Sequence, residues 1–105
     1  MKISPGNQGA VNELRISANL LGLGWSVFRS VSPNGATDLV ALKGRTVLRV
    51  QCKATLNGQW RNIRAGSNDL LAIIGPDGEI RYGATSKRVA RMIPACHLVR
   101  RPKRQ

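Results

Sequence analysis

Acidic side chains are what this chain has least of. Among 105 residues there are five Asp or Glu against seventeen Lys or Arg, a formal net charge of +12. A polyanionic partner, nucleic acid first, is expected, the plainer alternative being Lys and Arg used as solvated surface. Histidine is represented once, at His97, which excludes histidine-cluster metal chemistry. The two cysteines, Cys52 and Cys96, lie far apart and lack the spacing of a zinc or redox motif. A reduced, intracellular setting fits, with one disulfide left open. No apolar run opens the chain and none approaches a membrane span, so neither a signal peptide nor a transmembrane helix is expected. No long amphipathic basic helix suggests a membrane surface. The G-x-x-x-x-G-K-S/T loop is missing, which argues against an ATP motor.

What is present reads as one α/β domain covering residues 1–105, with residues 1–6 and 99–105 as flexible ends. Ala10, Val11, Leu14, Ala18 and Leu21 recur at helical spacing, which predicts a helix over residues 8–23 with Asn7 as its cap and Gly22 and Gly24 as its stop. Three strands follow, over residues 25–31, 38–43 and 46–54. Ser32-Pro33-Asn34-Gly35 and Gly44-Arg45 are the turns between them. Such short connections predict an antiparallel meander. Residues 70–74 form an apolar strand of undetermined direction. Gly75-Pro76-Asp77-Gly78 turns it into a hairpin partner over residues 80–84. Thr85 caps a last helix reaching about Ile93, where Pro94 ends it. Helices at both ends of such a sheet imply an α/β layer.

Two of the rare acids, Glu13 and Asp38, fall inside apolar structured segments, where an unpaired carboxylate is costly. In the third strand Leu48, Val50, Cys52 and Ala54 share the face expected to be buried. Val47, Arg49, Gln51 and Lys53 share the other. A turn at Gly44-Arg45 pairs Lys43 with Thr46 and sets Asp38 opposite Gln51. Lys53 stands about 7 Å further along, and a helix packed on the sheet can deliver Glu13. This constellation suits phosphodiester hydrolysis. Magnesium prefers hard oxygen ligands, here Asp38, the Gln51 amide and Glu13, and Lys53 can stabilise developing negative charge.

Glu13, then Gly35-x-x-Asp38-Leu39-Val40, then Val50-Gln51-Cys52-Lys53 together resemble the PD-(D/E)xK nuclease superfamily, in particular the small endonucleases similar to archaeal Holliday junction resolvases. The resemblance spans roughly residues 6–84. It implies a restriction-endonuclease-like core: a helix, a three-strand antiparallel meander, further hairpin strands and a C-terminal helix. It implies catalysis by Glu13, Asp38, Gln51 and Lys53, with Asp38, Gln51 and Glu13 on Mg2+ (or Mn2+), and a homodimer. Two departures stand out: Thr37 replaces the motif proline, and Gln51 replaces the motif acid. The crossover helix usual in the superfamily is also hard to fit between Ala54 and Asp69.

Each residue has a plainer reading. Glu13 can be a solvated helix residue paired with a basic neighbour, Asp38 a turn residue, Gln51 a neutral strand surface. Gln8 and Asn12 read as solvent-facing, Asp69 as a turn residue, and Trp25 and Phe28 as packing residues. Arg45, Arg49, Trp60, Arg61, Arg64, Lys87, Arg88 and Arg91 are the candidate nucleic-acid contacts, Trp60 by stacking and the others through phosphates. Binding is then expected to fall steeply with salt. The reading is a Mg2+-dependent endonuclease acting on DNA, branched or otherwise structured, in the cytoplasm or on the nucleoid. The competing readings are a non-catalytic nucleic-acid-binding protein on the same fold and a small RNA-directed nuclease.

Overall fold

The computed structural model describes residues 2–32, 35–55 and 66–99. Helix α1 spans Pro5–Gly22 and begins three residues before the sequence pattern suggests. Ser4, not Asn7, is its cap: the Ser4 Oγ accepts from the Asn7 backbone N–H at 3.3 Å. Pro5 at the first helical position suits a site where the missing N–H would be unpaired anyway. The helix stops where Gly24 takes φ +96° and the Trp25 N–H donates to the Leu20 carbonyl. No helix among the described residues is long and apolar enough to cross a membrane.

Five strands form one sheet in the order β1-β2-β3-β4-β5. They are β1 Ser26–Arg29, β2 Leu39–Lys43, β3 Thr46–Ala54, β4 Leu70–Ile74 and β5 Ile80–Ala84. The first three make the predicted antiparallel meander, with Lys43 paired to Thr46 and Leu39 to Val50. Strand β4 runs parallel to β3, with Val50 opposite Leu70 and Ala54 opposite Ile74, which settles its direction. Parallel neighbours need a crossover connection, and most of that connection lies outside the described residues. Strand β5 returns antiparallel through a turn in which Gly78 takes φ +80°.

The core lies between α1 and one face of the sheet. Ile16 and Leu20 of α1 meet Leu39, Ala41, Leu48, Val50, Leu70, Ala72 and Ile74, with Trp25, Tyr82, Val89 and Ile93 around them. A fully buried side chain of this size contributes about 1.5–3 kcal/mol, so the Ile16–Leu20 stripe is what holds α1 to the sheet. The Tyr82 hydroxyl adds a hydrogen bond to Asn19 Oδ1 at 2.7 Å. Lys43 clamps the helix exit, donating to the Leu23 carbonyl at 2.9 Å and standing 4.6 Å from the Trp25 ring centroid. On β3 the expected alternation holds for Leu48 and Val50 against Val47 and Arg49. It fades at Cys52, which is half-buried, and at Ala54, which is exposed, because α1 no longer covers the sheet there. Strand β4 is buried throughout: Leu71 and Ile73 form a small second cluster with Val99 on the opposite face.

The C-terminal helix is far shorter than expected. Helix α2 covers only Lys87–Ala90, and its cap is Ser86, which accepts from the Val89 N–H. Thr85 instead donates to the Asp69 carbonyl at 2.9 Å. After Ala90 the bonds tighten, with Met92 donating to Val89 and Ile93 to Ala90, and Pro94 precludes a further turn. A 3-10 turn at Ala95–His97 leads to a bridge between Leu98 and Tyr82.

Candidate active site

Where α1 leaves the end of the sheet, a cavity of about 200 Å3 opens. Helix α1 contributes Gly9, Asn12 and Glu13, the segment entering β2 contributes Asp38, and the end of β3 contributes Cys52, Lys53 and Ala54. Glu13, Asp38 and Lys53 are thus brought together. Gln51 is not in the lining: it is half-buried on β3, beside the position that Asp38 would take if β2 were extended by one residue.

Each carboxylate is held through one oxygen. Asp38 Oδ2 accepts from the Cys52 backbone N–H at 2.8 Å, reaching past Gln51. The Asp38 backbone N–H in turn donates to the Val50 carbonyl at 3.0 Å. Glu13 Oε1 lies 3.3 Å from Arg29 Nη2 of β1, and its backbone carbonyl accepts from Ser17 Oγ at 2.7 Å. This ion pair is the plainer reading foreseen for Glu13, yet it coexists with a place in the cavity. The half-buried Cys52 lines the same cavity. Burial, then the charges of Asp38 and Glu13, push its pKa up to about 12, with Arg29 opposing. Cys52 therefore stays a neutral thiol at physiological pH, and both cysteines are free.

One residue that no sequence pattern singled out fixes the approach to Asp38. Asn68, 4% exposed, accepts from the Thr37 hydroxyl at 2.7 Å and donates to the Ala36 carbonyl at 3.0 Å. A buried amide that bonds both residues preceding Asp38 restrains where its carboxylate can point. Arg29 was likewise missed, since a lone basic residue in an edge strand carries no motif. Gln8 and Asn12, read as solvent-facing, are hydrogen-bonded to each other at 3.0 Å, and Asn12 lines the cavity.

The other basic candidates scatter. Arg45 sits in the β2–β3 turn, six residues and about 20 Å of strand rise from Gln51, and so is not beside the site. Arg49 is bound to Asp69, whose Oδ2 accepts from the Arg49 N–H at 2.9 Å and from Nε at 3.4 Å. That contact holds the Asp69 carboxyl below its ordinary value, through the backbone N–H first, against some burial, and then through the Arg49 side chain and Arg88. Lys87, Arg88 and Arg91 are exposed on and after α2. Trp60, Arg61 and Arg64, and the tail residues from Arg100 onward, lie outside the described residues.

The donor set suits a hard cation only in part. Among the described residues no group of three His, Cys, Asp or Glu side chains gathers. The cavity does hold two carboxylates, each with a second oxygen, and an Asn12 amide. Two carboxylates with neutral oxygen donors are the chemistry that a small divalent ion accepts. Beside them the Lys53 ammonium can meet a phosphoryl oxygen.

A helix packed on a mixed five-stranded sheet, with two acids and a lysine lining one cavity beside it, defines a restriction-endonuclease-like fold. The family model described as PD-(D/E)XK endonuclease matches residues 3–68, well over half of the chain, and the chain belongs to that family. Among solved structures, a bacterial homing endonuclease, I-Ssp6803I, is similar in fold, with a TM-score of 0.66 at 18% identity over 98% of this chain and 83% of the other. No curated protein matches the chain.

Proposed function

We propose that the chain is a metal-dependent endonuclease that hydrolyses phosphodiester bonds in DNA. One observation carries this: the only two acids embedded in apolar segments of a very basic chain meet Lys53 in one cavity. Asp38 and Glu13 would hold Mg2+ or Mn2+, with Gln51 as a neutral oxygen donor if its side chain turns toward them. Such an ion, when bound, lowers the pKa of a water and neutralises charge on the phosphate. The chain's own residues do the rest. Lys53 stabilises the phosphoryl oxygens as negative charge grows. Arg29 fixes the Glu13 carboxylate by charge and geometry. The Cys52 N–H keeps one Asp38 oxygen occupied and so aims the other. The net charge draws the polyanion in. Structured or branched DNA is the substrate class we favour, and a pair of chains would be needed to cut both strands of a duplex symmetrically.

A second reading has its own support. Gln51 in place of an acid leaves a sparse donor set, as a binding protein on a nuclease fold would have. Cleavage assays on duplex, forked, four-way-junction DNA and RNA with Mg2+ or Mn2+ separate these readings. We expect Asp38→Asn and Lys53→Ala each to lower the cleavage rate by roughly 100-fold or more, with DNA still bound. Wild-type cleavage by both variants would refute the site. Strong binding with no cleavage under any metal would establish the binding-only reading.

A further inference from the structure

A second cavity, of about 320 Å3, adjoins the first and shares Asn12 and Ala54 with it. One wall is the N-terminal half of α1, with Gln8, Asn12 and Arg15. The opposite wall is the β4–β5 turn, with Gly75, Pro76 and Gly78. Positions 8, 12 and 15 stack on one helical face, directly beside the 9 and 13 positions that face the Asp38 cavity. The result is one continuous groove whose two halves differ in chemistry. The first half carries two acids and a lysine. The second carries an arginine and two amides, with no acid in its lining.

Gly9 bears independently on what occupies this groove. A glycine within a helix costs about 1 kcal/mol relative to alanine, and nothing among the described residues demands one here. A Cβ at Gly9 would meet no atom of the described residues within 4 Å, and the helix φ there needs no glycine. Gly9 nevertheless lines the first cavity. A glycine with empty space inside the protein and a cavity outside it suits close approach of an external chain to the helix backbone.

We infer that the DNA strand leaves the Glu13–Asp38–Lys53 cavity against Gly9, and that a neighbouring phosphate is held in the second cavity by Arg15 together with the amides of Gln8 and Asn12. This rests on the reading that the first cavity receives the scissile phosphodiester. Arg15 has a guanidinium fork suited to a phosphate, and the amides supply neutral donors without competing charge. Contacts of this kind set the register of the strand and read no sequence.

The test is binding of a labelled duplex in EDTA, so that affinity is read without cleavage, across a salt titration. Each phosphate contact on duplex DNA contributes about −0.9 to the slope of log K against log salt. Arg15→Ala should therefore flatten the slope by about 1 and weaken binding roughly eightfold at 0.1 M salt. Arg15→Lys should keep the slope. Gly9→Leu adds no charge and its Cβ has open space around it, so it should keep the fold while weakening both binding and cleavage. An RNA duplex of the same sequence, measured alongside, shows whether the groove prefers DNA; tighter binding of the RNA would overturn the DNA assignment. An unchanged slope in Arg15→Ala, or wild-type affinity in Gly9→Leu, would overturn the groove even if the protein cleaves. The expected slope change in a protein that never cleaves would uphold the groove while refuting the nuclease reading.

Discussion

Asn68→Ala should do two things at once, and their separation tests whether the site is built as described. The amide is 4% exposed and bonds Thr37 at 2.7 Å and the Ala36 carbonyl at 3.0 Å. Truncation leaves both partners without it. A stranded buried group costs about 1–3 kcal/mol. Thr37 is half-buried and Ala36 exposed, so water reaches both and the low end applies to each, about 2 kcal/mol together. For a domain of this size that is a fall in Tm of roughly 8–10 °C. The catalytic effect comes on top. Ala36 and Thr37 lead directly into Asp38, whose other anchors are its bonds to Val50, Cys52 and the Ser30 backbone N–H. Releasing the segment on one side lets the carboxylate drift, and a displacement of about 1 Å in a catalytic group costs on the order of 100-fold.

Thermal denaturation reads the first effect. Single-turnover cleavage, at a temperature where every variant is fully folded, reads the second. Thr37→Val removes the hydroxyl donor alone and should give a smaller loss of both kinds. If Asn68→Ala lowers Tm but cleaves at the wild-type single-turnover rate, the amide is a structural pin and does not position Asp38. If Tm does not move, the hydrogen bonds are replaced by water at no net cost and the magnitude above is wrong.

The Asp69 latch predicts an acid limb. Its carboxyl is held below the ordinary range by Arg49, so its contribution is complete above the unfolded carboxylate pKa, about 4, and drains away as pH falls through the lower folded value. Asp69→Asn should lower the urea midpoint at pH 7 and flatten its dependence between pH 5 and 3; a parallel profile would refute the latch. Gln51→Glu adds a third carboxylate near two that are already partly neutralised. It should move the Mg2+ concentration needed to raise Tm to lower values, and an unmoved midpoint would place residue 51 outside the metal's reach.

The sheet was legible because its signals are local. Apolar alternation on β3 and a two-residue turn at Gly44-Arg45 set the β2–β3 register without any tertiary knowledge, and the observed Lys43–Thr46 pair follows from them. The start of α1 was misjudged although its signal is equally local: Ser4-Pro5 is a cap followed by a first-turn proline, while Asn7 offered a competing cap two residues inside the true start. Strand β4 was legible as an apolar run but not in direction, because parallel pairing is decided by a connection that carries no periodicity. The last helix was overextended for a related reason. Val89, Met92 and Ile93 do face the core, but a 3-10 turn places such residues inward almost as well as an α-helix does.

The candidate site divides along the same line. Glu13, Asp38 and Lys53 could be placed together because Glu13 and Lys53 sit at fixed phases of regular elements and Asp38 immediately precedes one. Arg29, Asn68 and Gly9 could not, since their roles come from neighbours 16 to 32 residues away or from empty space. Gln51 shows how the two kinds of information conflict. Strand phase sets it opposite Asp38, and the fold keeps that level, yet Asp38 bonds past it to the Cys52 backbone. With Gln51 neutral, the cavity's charges are Glu13 and Asp38 against Lys53, with Arg29 close behind Glu13. Two negatives and two positives leave no net pull on a divalent ion. In such a site the phosphate and the cation must arrive as partners, each supplying the charge that the protein withholds from the other. Metal affinity measured without DNA should then understate affinity in the complex, because linkage requires that each ligand strengthen the other equally.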